Sequence, residues 1–113
     1  LAYPDRAVVA LAGDGCFQMT EQELSTAVQL GLPLVIIVAN NGVLGTILQA
    51  QGQRYPGRPI ATSLVNPDFA ALARACGALG FKVSETAQFA AALDMALASG
   101  RPALTDLDLS PAQ

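Results

Sequence analysis

Two apolar runs of the same length, Ala7–Ala12 and Leu34–Ala39, each lead into a polar turn containing glycine, and this pairing leaves the chain few folds. Runs rich in Val, Leu and Ile and unbroken by polar residues suit strands buried on both faces. Between them, Thr20 and Glu23 have the spacing of a capping box, and Leu24, Ala27 and Val28 recur at helical intervals. A helix is therefore expected over about Thr20–Leu30. Gly31 stands where such a helix ends, and Pro33 cannot continue it. The unit is β-α-β, with a right-handed crossover that brings both carboxyl strand ends to one edge of a parallel sheet. That edge is where open α/β sheets bind their ligands.

The remainder extends this pattern. A short helix is expected over Thr46–Gln53, pointing its N-terminus at the same edge. The breakers Pro56, Gly57 and Pro59 then predict an irregular loop from about 53 to 65. Asn66 as N-cap with Pro67 at the first helical position starts another helix, burying Phe69, Leu72, Ala73 and Cys76 before Gly77 stops it. A strand at Phe81–Ser84, a helix presenting Phe89, Ala92, Leu93, Ala96 and Leu97, and a strand at Pro102–Leu109 with Ser110-Pro111 as its exit complete the series. The expected fold is α/β, a three-layer α/β/α sandwich with a mainly parallel sheet.

At 113 residues the chain has room for one core. Hydrophobic residues make up 52% and charged residues 13%, so part of the surface is expected to be covered by a partner. The start at Leu1-Ala2-Tyr3-Pro4, without an initiator Met, suits a fragment of a larger protein or a processed product. No apolar stretch approaches the roughly 20 residues needed to span a bilayer, which makes a soluble, cytoplasmic protein the expectation. The net charge of −3, with six scattered basic residues, offers no stripe for nucleic acid. With no His, and with Cys16 and Cys76 far apart, neither a common zinc site nor a His-dependent nucleophile can be assembled.

The chemistry concentrates in the two turns. Gly13-Asp14-Gly15 and Asn40-Asn41 are separated by twenty-four residues. Taken singly, the first reads as a plain βα turn with an exposed Asp, and the second as a turn with Asn in a left-handed conformation. Together, on neighbouring parallel strands, they present a carboxylate and an amide oxygen to one hard cation. Mg²⁺ takes few ligands from protein and the remainder from phosphate and water. Asp14, the Asn41 side chain and a backbone carbonyl of the following turn, at Val43, would suffice. The glycines let backbone N–H groups approach a diphosphate, and the helix start adds positive potential.

These residues resemble a known motif, that of the thiamin diphosphate-dependent enzymes, and the chain resembles their diphosphate-binding domain. Met19-Thr20, Glu23-Leu24, Ser25-Thr26-Ala27, Asn41 through Gly45, and Asn66-Pro67-Asp68-Phe69 with Leu72-Ala73 are similar to the C-terminal domain of acetolactate synthase-like proteins. The resemblance runs from about residue 5 to 109. It implies the thiamin diphosphate-binding fold, with Mg²⁺ held by Asp14, Asn41 and the Val43 carbonyl. It also implies cofactor contacts from Gly13, Asp14, Gly15, Cys16, Asn41, Val43, Gly45 and Thr46. The implied substrates are 2-oxo acids, which the intact enzyme decarboxylates and ligates. The glutamate that activates the cofactor belongs in such enzymes to a pyrimidine-binding domain, usually of another subunit. A homodimer or homotetramer is therefore implied for the intact protein, and inactivity for this chain alone.

The sequence departs from biosynthetic acetohydroxyacid synthases, which usually carry Met and Trp where Thr46 and Ala50 stand here. A benzoylformate- or oxalyl-CoA-type decarboxylase is the alternative, and a non-catalytic phosphate-binding module the more distant one. Cys16 is expected as a small residue packed beside phosphate rather than a reactive thiol. Arg54, Tyr55 and Arg58 read equally as a loop that closes over substrate and as a solvated loop.

Overall fold

The computed structural model describes Tyr3 and residues 5–109. Four strands form one parallel sheet in the order β1-β2-β4-β3: β1 is Val8–Gly13, β2 Leu34–Asn40, β3 Leu79–Val83 and β4 Ala103–Asp108. The β1–β2 register runs from Val8 opposite Leu34 to Gly13 opposite Ala39, so the two turns emerge side by side at the carboxyl edge.

The described residues form five helices besides: α1 (Asp14–Gln18), α2 (Glu23–Gln29), α3 (Gly45–Arg54), α4 (Phe69–Ala75) and α5 (Thr86–Ala98). The period-two alternation of buried strands sorts their side chains between two cores. Ile36, Val38 and Leu104 face one way and pack with Phe17 of α1, Leu24 of α2, and Phe69 and Ala73 of α4. Val35, Ile37 and Ala103 face the other way and pack with Ala96 of α5. This is the expected three-layer architecture. On β1 the α5 side is bare, with Val9 46% and Leu11 74% exposed, and α3 buries none of its residues.

Three local expectations are corrected. Thr20 and Glu23 form no capping box: α2 begins at Glu23 with Gln22 at its N-cap and no side-chain cap, while backbone turns carry the chain through residues 20–24. The segment after β1 is not a bare turn, because Asp14–Gln18 forms a short helix. Asn66 does not cap α4 either. Asp68 does, its side chain accepting from the Ala71 N–H at 2.7 Å, and Asn66 is thereby free for another task. Gly31 does end α2 in a left-handed conformation, at φ +60°. The exit at Ser110-Pro111 lies outside the described residues.

Candidate functional site

At the carboxyl edge, β1 delivers Asp14 to a position only 3% exposed, so the exposed-Asp reading fails. A buried carboxylate demands hydrogen bonds, and this one has three. Its Oδ1 accepts from the Gly15 N–H at 2.9 Å. Its Oδ2 accepts from the Gly42 N–H at 2.8 Å and from Asn66 Nδ2 at 2.6 Å. The turn after β2 is therefore docked on Asp14 through Gly42, whose φ of +68° shows why glycine follows the Asn pair. The left-handed residue of this turn is Gly42 and not either Asn. Asn41 is exposed, and its Oδ1 accepts from the Val43 N–H at 3.2 Å.

The same turn is braced from outside. Leu44 N–H donates to the Thr62 carbonyl and Leu64 N–H to the Gly42 carbonyl, both at 2.8 Å, with Val43 and Ser63 facing one another as an antiparallel bridge. The irregular segment 55–65 is in this way tied to the site by its far end, while Arg54, Tyr55 and Arg58 are exposed and line none of it.

An open cavity of about 440 Å³ lies over the two turns. Gly13, Asp14, Gly15, Cys16, Asn41, Val43, Gly45 and Thr46 all line it, joined by Met19, Ala39, Leu44 and Ile47. The eight residues expected to touch the cofactor thus line one concavity, whereas Asn40 and the loop residues Arg54, Tyr55 and Arg58 do not. A Cβ at Gly15 would lie 2.6 Å from Leu44 Cδ2 and 3.3 Å from Leu64 Cδ1, so the Leu44 side chain would have to shift to admit one. Gly45 and Thr46 open α3 at the rim. Among the described residues no three His, Cys, Asp or Glu side chains cluster as a metal site; a set of one carboxylate, one amide and one carbonyl would not form such a cluster.

Beneath the cavity lies a polar chain that sequence reading missed. Asn66 Nδ2 also donates to Asn40 Oδ1 at 2.8 Å, and Asn66 Oδ1 accepts from Gln18 Nε2 at 2.6 Å. Asn40 Nδ2 donates to Asp106 Oδ1 at 3.0 Å. Asp106 is 1% exposed in the middle of β4. Burial raises its pKa above the usual 3.8, an effect opposed by the Asn40 hydrogen bond and by Lys82, reinforced by Asp68 and opposed by the Phe69 N–H. A lone acid inside the run Ala103–Leu107 was a readable signal, since a charge so placed requires partners. The Phe17 and Phe69 rings meet edge-to-face at 5.5 Å and hold α1 against the start of α4, which sets Gln18 beside Asn66.

Residues 1–107 match the family described as thiamine pyrophosphate enzyme, C-terminal TPP binding domain. The chain is 48% identical over 85 residues to the acetolactate synthase large subunit of Haemophilus influenzae, covering 74% of this chain and 15% of that protein. To the acetolactate synthase large subunit of Corynebacterium glutamicum it is 40% identical over 109 residues, with 91% and 17% covered. Among solved structures, the thiamine diphosphate-dependent 4-hydroxybenzoylformate decarboxylase of Rhodococcus jostii RHA1 superposes with a TM-score of 0.90 at 32% identity, over 98% of this chain and 21% of that one. The chain thus spans roughly a fifth or less of each of these relatives.

Proposed function

The chain belongs to the thiamine pyrophosphate enzymes, as their C-terminal TPP binding domain, and on that premise we propose that it holds the Mg²⁺-diphosphate end of thiamin diphosphate in an acetolactate synthase-like enzyme acting on 2-oxo acids. The observation that carries the reading is the buried Asp14 carboxylate beneath a cavity that also takes in Asn41, Val43 and the start of α3. These residues fit the group. Asp14 supplies negative charge for a hard cation, Asn41 an amide oxygen and Val43 a carbonyl. The side-chain-free Gly15, with the backbone of Cys16, Gly45 and Thr46, lets phosphate oxygens come close, and α3 turns its positive end toward them. When bound, the cofactor supplies an electron sink for breaking or making a carbon–carbon bond beside a carbonyl.

What this chain contributes is position and charge. Among the described residues no second carboxyl group lines the cavity; on this reading the acid that activates the cofactor belongs to a pyrimidine-binding domain outside these residues, brought into place in a homodimer or homotetramer. The isolated chain is expected to be inactive. A decarboxylase is the second reading, favoured by the 4-hydroxybenzoylformate decarboxylase likeness and by Thr46 and Ala50 on α3, where biosynthetic synthases resemble one another in carrying Met and Trp. No helix among the described residues is long and apolar enough to cross a membrane; a cytoplasmic location is part of the proposal.

Calorimetric titration of the full-length protein with thiamin diphosphate tests the site. Binding should require Mg²⁺, and Asp14→Ala should weaken it by more than the roughly 10- to 100-fold that loss of an outer partner costs. Unchanged affinity in both Asp14→Ala and Asn41→Ala would defeat the assignment. Product analysis with pyruvate against an aryl 2-oxo acid separates carboligase from decarboxylase.

A further inference from the structure

Asp14 Oδ2 already receives two N–H donors, from Gly42 and Asn66, whereas Oδ1 receives one, from Gly15. An ionised carboxylate oxygen accepts about two hydrogen bonds, so Oδ2 is filled and Oδ1 retains one acceptor position. The donor that completes Oδ2 from outside the two turns is Asn66, and its amide cannot be reversed. Both ends of the polar chain are carboxylates, Asp106 and Asp14, which offer only acceptors when ionised. Asn40 must therefore turn its NH₂ to Asp106 and its carbonyl to Asn66, and Asn66 must spend both N–H groups, one on Asn40 and one on Asp14. Gln18 then donates to the remaining Asn66 oxygen. Two donors and one acceptor in this fan are what an asparagine amide supplies, and neither Asp nor Ser can reproduce it.

From this geometry, and resting on the metal site proposed above, we propose that Asn66 is a positioning residue for the cation: it pins Asp14 Oδ2 and leaves Oδ1 as the single oxygen that binds Mg²⁺. A carboxylate held by one oxygen binds through the other and resists swinging both oxygens onto the ion. That restraint suits Mg²⁺, which demands near-ideal octahedral geometry, more than Ca²⁺, which accepts bidentate carboxylates and six to eight ligands. Asn66 therefore sets cation preference as well as affinity. The anchor of the restraint is β4, through Asn40 and Asp106, and α1, through Gln18.

The test uses the full-length protein, titrated with Mg²⁺ and separately with Ca²⁺ in the presence of thiamin diphosphate, with the two affinities read by calorimetry. In Asn66→Ala the Mg²⁺ affinity should fall about 10- to 100-fold and the Ca²⁺ affinity by distinctly less, so that the Mg²⁺ to Ca²⁺ ratio drops. Gln18→Ala, which removes only the outer support of Asn66, should move the ratio the same way by a smaller factor, and it decides the matter if Asn66→Ala does not fold. An equal fall for both cations would mark a merely structural role and overturn the proposal, as would an unchanged ratio in a folded variant. A wild-type protein that shows no cation-dependent thiamin diphosphate binding would defeat the reading of the site itself, whereas normal wild-type binding with an unmoved ratio would defeat only the role of Asn66.

Discussion

Replacing Gly80 by Ala should be among the most damaging single-methyl additions in this chain. Gly80 lies in β3 directly under α4, where an added Cβ would strike the Ala70 carbonyl oxygen and lie 2.8 Å from its carbonyl carbon and 3.0 Å from its Cα. Ordinary contact begins at 3.4 Å, so clearing the carbonyl carbon alone asks for 0.6 Å of separation (3.4 minus 2.8), and the oxygen asks for more. Both surfaces are backbone and neither can rotate away. Overpacking commonly costs about 1–3 kcal/mol, and the upper end applies here, roughly a hundredfold in the opening equilibrium of the β3–β4–α4 unit. Gly52 provides the control. It sits inside α3, and beyond its chain neighbours and the helix's own backbone nothing lies within 4 Å of where an added methyl group would be, so Ala there should stabilise by about 0.5–1 kcal/mol. Hydrogen exchange of the β3 and β4 amides in the full-length protein reads the first change, and exchange of the α3 amides reads the second. Equal protection of β3 and β4 in Gly80→Ala and wild type would refute the steric argument.

Two further substitutions test the interior. Thr105 is fully buried, and its hydroxyl has no hydrogen-bond partner among the described residues; an orphaned buried hydroxyl costs about 1–3 kcal/mol. The nearly isosteric Thr105→Val should therefore raise the denaturation midpoint by the equivalent of about 1 kcal/mol, and a lowered midpoint would mean that the hydroxyl is satisfied. Asp106 has a folded pKa raised by burial, so the native state holds its proton more tightly than the unfolded state does. Its stabilising contribution is then complete below about 3.8 and is lost as pH rises through the raised value. Stability of wild type relative to Asp106→Asn should accordingly decline across that window in urea denaturation at a series of pH values, and a flat or rising difference would contradict the sign.

The framework was legible because it rests on local patterns. The runs that became β1 and β2 are apolar without interruption, Gly31 and Pro33 close the helix between them, and parallel pairing then carries Asp14 and Asn41 to one edge. Capping was less legible, because it is a competition among neighbours. Asn66 and Asp68 are both good caps by residue type, and what separates them is tertiary: Asn66 finds two carboxylate-anchored partners and Gln18, leaving Asp68 to cap α4. Thr20 lost its expected role to backbone turns that begin with α1, a helix no periodicity announced in five residues. The polar chain below the cavity escaped for a related reason. Its members lie at positions 14, 18, 40, 66 and 106, and only Asp106, an acid set among apolar neighbours in a strand, advertises from sequence that something must meet it.

The strand order carries a consequence for how the molecule comes into being. Among the described strands β4 comes last along the chain, yet it lies between β2 and β3, so β3 meets its observed neighbour only once residues 103–108 have left the ribosome. Until then β1 and β2 can join, since only their own crossover separates them, but Asn40 lacks its carboxylate anchor and α5 has no β4 to cover. Closure of non-local parallel pairings is slow, which makes insertion of β4 the natural late step of folding. A nascent chain stalled before Ala103 would hold Asp14 and Asn41 near one another without the brace beneath them, and would acquire a finished site in the same event that completes the sheet.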